Sequence, residues 1–182
     1  SMAQSGKAVF TGLFRHTLDD KGRLTIPSEW RHARAPEDTF LATPHPDGYI
    51  AVLPPAEVDK LHDKISAMKL SDAAAQAFSA KFFSQTQSVS FDKSGRVGLT
   101  EALLKHAGID KDAVLVGSLT KFNLYNPARW QQEELRTAQI PPDPATERPR
   151  HDGPPPGATG PNEDFSELLG LPRFDPPPRN RA

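Results

Sequence analysis

The chain is 182 residues long, with 36% hydrophobic and 25% charged residues, a net charge of −1 and no cysteine. That is room for one ordinary domain, or two small ones, around a real core. It excludes disulfides and thiolate chemistry, and it leaves any zinc site to His and carboxylates alone. No apolar run approaches the ~20 residues of a membrane helix. No basic start followed by an apolar stretch opens the chain, so no secretory signal is expected and the reading is cytoplasmic. Ser1 ahead of Met2 reads as a residue left by tag removal. Residues 1–140 carry 17 Lys and Arg against 16 Asp and Glu, and residues 141–182 carry 5 against 7. An anion-binding surface therefore has to be a local patch.

From the N-terminus, AVFTGLFRHTL reads as a strand, LDDKGR as a tight turn, and the alternating Leu24 and Ile26 as a second strand. Ser28 is the expected cap of a short helix, EWRHAR. TFLATP and YIAVL follow as strands joined by a hairpin turn at Asp47-Gly48. A proline-led helix, PPAEVDKLHDKISAM, sets Val58, Leu61, Ile65 and Met68 on one stripe. A further helix, SDAAAQAFSAKFF, takes Ser71 as its cap, with Phe78 and Phe82 on one face. Then come the strand TQSVSF, the turn FDKSGR, and a strand alternating at Val97 and Leu99. A helix from Thr100 stops at Gly108, two strands follow in AVLVGSL and FNLYN, and PARWQQEELRTAQ closes the series as a helix. Trp30 is expected in the core, and Trp130 in the core or at a subunit seam.

Twelve of the 19 prolines fall in residues 141–182. Proline removes backbone donors and fixes φ, so this segment reads as a disordered or polyproline-rich tail. Within it, residues 162–174 gather Phe165, Leu168, Leu169 and Leu171. That cluster is either a stray apolar patch or a short docking motif for a protein partner.

The two turns belong to an internal repeat. A shift of 73 residues lays LDDKGRLTIP on FDKSGRVGLT without a gap. Asp19 meets Asp92, Gly22 meets Gly95, Arg23 meets Arg96, Tyr49 meets Phe122 and Pro54 meets Pro127. Two copies of one unit, related by an approximate two-fold axis, are expected: a first repeat over 8–68, a bridging helix over 69–84, and a second repeat over 85–140.

Gly22 and Gly95 fit a turn position of positive φ, and Asp19 and Asp92 can accept backbone N–H groups across the turn. The arginines have two readings. Each pairs with its turn aspartate or the neighbouring hairpin, or each presents its guanidinium fork to phosphate or to guanine. Lys21 and Arg15 beside Arg23 give the first copy three cations. The second has Ser94 and Ser88 at those positions and keeps Arg96 and Lys93.

The twin Asp-x-x-Gly-Arg turns, followed by HAGIDKDAVLVGSLTKFNLYNPARW at residues 106–130, resemble the MraZ family of bacterial transcriptional regulators from about Val9 to about Ile140. AbrB-like and MazE-like proteins share the shorter motif. The resemblance implies an α+β, mainly β fold: a double swapped-hairpin AbrB-like β-barrel with flanking helices. It implies a homo-oligomeric ring of about eight to twelve subunits. It also implies binding of double-stranded DNA at G-rich direct repeats upstream of the division and cell-wall genes, on the nucleoid. The family's chief DNA contact maps onto Arg23, and its second-repeat counterpart onto Arg96. Two features depart from the family pattern. The second motif ends in Leu99-Thr100 where a proline is usual, with Gly98 weakening the strand, and the proline-rich tail has no family counterpart.

An enzyme is not expected, nor a cofactor or metal. The six histidines show no metal-ligand spacing, and no P-loop, nucleophile elbow or dinucleotide turn is present. The competing reading is an antitoxin-like or scaffold protein that uses the same fold to bind another protein.

Overall fold

The computed structural model describes residues 8–31 and 38–139. The proline-rich segment and its cluster at 162–174 lie outside the described residues, as does the end of the EWRHAR helix.

The first repeat supplies β1 (Leu13–Thr17), β2 (Arg23–Thr25), α1 (Ser28–Arg31), β3 (Phe40–His45), β4 (Tyr49–Leu53) and α2 (Pro55–Ser66). Between the two runs lies α3 (Ala73–Ser84), in the stretch expected to bridge them. The second repeat supplies β5 (Gln87–Val89), β6 (Arg96–Gly98), α4 (Glu101–Ala107), β7 (Asp112–Gly117), β8 (Phe122–Tyr125) and α5 (Pro127–Ala138).

The strands pair antiparallel in a six-stranded sheet, ordered β1-β7-β8-β4-β3-β5, and a two-stranded ribbon, β2-β6. The order reads the same from either end when the repeats are exchanged. The registers obey the same symmetry. Phe14 faces Leu115 in β1–β7, and 73 residues on Gln87 faces Ala42 in β5–β3. Each repeat's first two strands thus pair with the other repeat, β1 with β7 and β2 with β6. This is the hairpin swap that the resemblance implies, and neither half can complete its ladders alone.

The main core lies between ribbon, sheet, α1 and α4. Leu24, Ile26, Val97 and Leu99 meet Phe40, Ile50, Leu115 and Phe122 there. Trp30 fills the centre at 2% exposure, stacked 4.9 Å from Phe122, and donates its indole N–H to the Thr11 carbonyl at 3.0 Å. The expected long first strand is broken. Gly12 turns at φ 94°, and Phe10 bridges separately to Leu119.

A smaller core joins Leu53, Leu61 and Phe82 to Leu41, Val58, Ile65 and Phe83, so α2 and α3 share one apolar cluster on the sheet. α5, the counterpart of α2 in the second repeat, buries no residue; Trp130 rests on Tyr125 at 5.0 Å, and Leu135 is exposed.

The helix ends follow from side-chain chemistry. The Thr100 hydroxyl accepts the Leu103 N–H, and Gly108 closes α4 at φ 64°. Asn126 caps α5 ahead of Pro127. The α3 cap is Asp72, whose carboxylate accepts the Ala75 N–H at 3.0 Å, and not the expected Ser71. The helix begins one residue later than the Ser-led reading placed it, which puts the stronger acceptor at the cap.

Candidate nucleic-acid interface

The two turns are near copies. Asp19 Oδ1 accepts the N–H groups of Lys21 and Arg23, both at 2.9 Å, and Asp92 Oδ1 accepts those of Ser94 and Arg96, both at 2.9 Å. Gly22 and Gly95 sit at φ 69° and 74°, where a side chain is strained. Each turn is also held by the other repeat: Leu99 N–H donates to the Gly22 carbonyl at 3.3 Å, and Ile26 N–H to the Gly95 carbonyl at 2.9 Å. Each turn is therefore built locally and tied down by the swap.

The backbone N–H bond from Arg23 is the largest influence holding the Asp19 carboxyl below its ordinary range; that from Arg96 does the same for Asp92. Both are ionised at neutral pH. Each turn arginine donates Nε to its own aspartate, Arg23 to Asp19 at 2.7 Å and Arg96 to Asp92 at 2.9 Å. The pairing engages the inner edge of the guanidinium only. Among the described residues the terminal nitrogens of Arg23 have no bonding partner, and its side chain is one-third exposed.

In the ribbon, Arg23 faces Gly98 and Arg96 faces Thr25, flanking the buried pair Leu24 and Val97. Alternation sets both arginines on the ribbon face opposite the core. They are not equivalent there. Arg96 Nη1 also approaches Asp19 at 3.5 Å, so Arg96 lies between two carboxylates while Arg23 has one. Gly98, expected to weaken its strand, leaves room beside the Arg23 stem. The strand end is secured by Gln87, which donates to the Gly98 carbonyl at 2.9 Å and accepts the Thr100 N–H at 2.8 Å.

Lys21 stands exposed in the first turn. Arg15 is exposed on β1 and lines a shallow depression with Thr17, Asp112 and Pro127, which includes no turn residue. Sequence reasoning missed Arg31, which crosses from α1 to the second turn and donates Nη1 to the Ser94 carbonyl at 3.3 Å. Its only trace in the sequence is a mismatch in the repeat, where the 73-residue shift lays Arg31 on Leu104, and that mismatch does not say which turn the side chain meets. Among the described residues no group of three or more His, Asp or Glu could hold a metal ion, and no helix is long and apolar enough to cross a membrane.

Fold and site together define a two-repeat, swapped-hairpin protein that displays paired arginine turns on one ribbon. The family model described as "MraZ protein, putative antitoxin-like" matches twice, over residues 9–81 and 82–150, and the chain belongs to this family. Among similar proteins is the Transcriptional regulator MraZ of Heliobacterium modesticaldum, 32% identical over 71% of this chain and 90% of that protein. That of Thermomicrobium roseum is 34% identical over 73% and 93%. That of Desulfitobacterium hafniense strain DCB-2 is 37% identical over 67% and 84%.

Proposed function

We propose that this protein is a sequence-specific DNA-binding transcriptional regulator, acting in the cytoplasm at the nucleoid. Its target would be G-rich direct repeats upstream of the division and cell-wall gene cluster, its own gene included. Arg23 makes the principal contact, with Lys21, Arg96 and Arg15 in support. The observation that carries this reading is the exposed ribbon face: Asp19 fixes Arg23 through Nε, and the terminal nitrogens remain in the fork geometry that suits guanine O6/N7 or a phosphate. The names of the relatives support regulation of transcription.

The protein assembles as a homo-oligomeric ring. The unequal cover of the two repeats supports self-association. α2 shares an apolar cluster with α3, whereas α5 buries no residue, Leu135 is 59% exposed, and the shielded Trp130 indole N–H has no bonding partner among the described residues.

The test is a gel-shift titration across salt with duplexes containing and lacking G-rich repeats. A regulator shows a steep log–log slope, roughly −0.9 per neutralised phosphate, and a clear preference for the repeats. Weak binding without preference favours the second reading, an antitoxin-like or scaffold protein. The apolar groove of Pro44, Pro46, Phe78 and Phe82, edged by Lys81 and His106, speaks for that reading.

A further inference from the structure

We infer that Arg31 builds a phosphate-binding site at the second turn, so that the turn with the poorer sequence of its own borrows a cation from the opposite repeat. The inference rests on the DNA-binding reading and extends it to a residue outside both turn motifs.

Three observations carry it. First, Arg31 lies directly on the turn. A Cβ built on Gly95 would stand 1.9 Å from Arg31 Nη1 and 2.5 Å from both its Cδ and Cζ, so the guanidinium occupies the space a side chain there would need. Second, the first turn has nothing comparable among the described residues. Its counterpart residue is Leu104, whose Cδ1 is 3.7 Å from the same point on Gly22. One turn is backed by an apolar side chain and the other by a positive charge. Third, the charges are unequally neutralised. Arg96 sits 2.9 Å from Asp92 and 3.5 Å from Asp19. Arg31 has one neutral acceptor, the Ser94 carbonyl at 3.3 Å, and its Nε is shielded with no hydrogen-bond partner among the described residues.

A guanidinium carries five N–H donors and no acceptor. With one donor engaged by a carbonyl and no ion pair to a carboxylate among the described residues, Arg31 joins the exposed Lys93 as an uncompensated cation at the second turn, and it is the one held against the turn backbone. An anionic, acceptor-only group matches it, and a duplex phosphate is the form that such a group takes at a DNA-facing turn. Arg96 then serves mainly to tie the two turns together, and Arg31 supplies the second repeat's contact.

The experiment uses the full chain and a synthetic duplex with G-rich direct repeats, titrated over a range of salt, for wild type, R31L and R31K. R31L copies Leu104. The expected result is a salt slope shallower by about 0.9 for each subunit engaged in R31L, retained in R31K, which keeps the charge. A brace without phosphate contact would lower affinity in both variants and leave the slope alone. An R31L slope equal to wild type overturns the inference while the DNA-binding reading stands; wild-type protein that does not bind the duplex overturns both. Competition by inorganic phosphate, at fixed ionic strength, that removes the difference between wild type and R31L would assign the site to free phosphate and overturn the duplex assignment. Melting curves and oligomer mass are recorded for every variant. If R31L melts early, R31Q carries the same test, since its amide can keep the bond to Ser94 without the charge.

Discussion

Arg96 of the second repeat reaches Asp19 of the first, Nη1 to Oδ2 at 3.5 Å, while Asp19 is already held 2.7 Å from Arg23. One carboxylate therefore faces both repeat arginines. No equivalent contact from Arg23 to Asp92 balances it among the described residues. The ribbon is symmetric in its backbone pairing and asymmetric in its charges, and on that ground the two arginines are expected to differ in DNA binding.

Arg23→Ala is expected to abolish binding to G-rich repeats with fold and assembly intact. A bidentate base contact is worth ~1–3 kcal/mol, repeated over every subunit engaged. Arg96→Ala is expected to weaken binding less, because Arg96 is more fully engaged by carboxylates. Side-by-side gel-shift titrations check the order, and a larger loss for Arg96→Ala would reverse the assignment.

Acid should loosen the ribbon. Asp19 and Asp92 have folded-state pKa values below their ordinary value of 3.8, held there first by the backbone N–H groups of Arg23 and Arg96. A depressed carboxylate pKa stabilises the fold above the unfolded value, and that contribution fades as pH falls below 3.8 through the folded value. Melting temperatures measured from pH 6 down to pH 2.5 should fall most steeply in that last interval. The double variant Asp19→Asn, Asp92→Asn should melt lower at pH 6 and lose less on acidification. An unchanged acid slope in that variant would assign the acid sensitivity to other carboxylates.

The two turn glycines should not respond alike to alanine. Both occupy positive φ, where an L side chain costs roughly 1–2 kcal/mol. At Gly22 the added methyl meets nothing closer than 3.7 Å, whereas at Gly95 it collides with Arg31. Gly95→Ala should therefore displace Arg31 and reproduce the shallower salt slope of R31L; Gly22→Ala should lose stability and keep the wild-type slope. Combining Gly95→Ala with R31L should add almost nothing to the slope change, since both remove the same contact. Additive slopes would mean the two residues act apart.

The 73-residue repeat made most of the fold legible, because the offset that aligned Asp19, Gly22 and Arg23 with Asp92, Gly95 and Arg96 also governs the strand registers. Turn chemistry was readable for the same reason: it is local, and Asp19 and Gly22 act within a few residues. What stayed hidden depends on the swap. Arg31 is 63 residues from Ser94 in the chain, and only the β2–β6 pairing brings α1 over the second turn. Arg15 illustrates the opposite limit of sequence distance. Nearness in sequence grouped it with Arg23, yet its side chain lines a depression with Thr17, Asp112 and Pro127 at the start of α5 and with no turn residue. The Asp72 cap shows a smaller limit, since two adjacent capping residues cannot be ranked before the helix start is known.

Affinity should climb steeply with the number of direct repeats and depend on their phase. A single first turn offers Lys21 and Arg23, with Asp19 and Asp20 beside them, which is too little charge for tight binding at physiological salt, where non-specific affinity is typically ~10⁻⁴–10⁻⁶ M. The proposed ring would set identical ribbons along one rim. Repeats spaced about one helical turn, ~10 base pairs, present their grooves to successive subunits on the same side of the duplex. Once one ribbon is seated the next contact is effectively intramolecular, and avidity can rise by ~10²–10⁴ without a new type of contact. Duplexes with one, two and three repeats, and variants with half a helical turn inserted between repeats, give the measurement. The expected result is a steep gain per repeat that the half-turn insertion cancels. If one repeat binds as tightly as three, or the insertion changes nothing, each ribbon acts alone and the ring contributes no avidity.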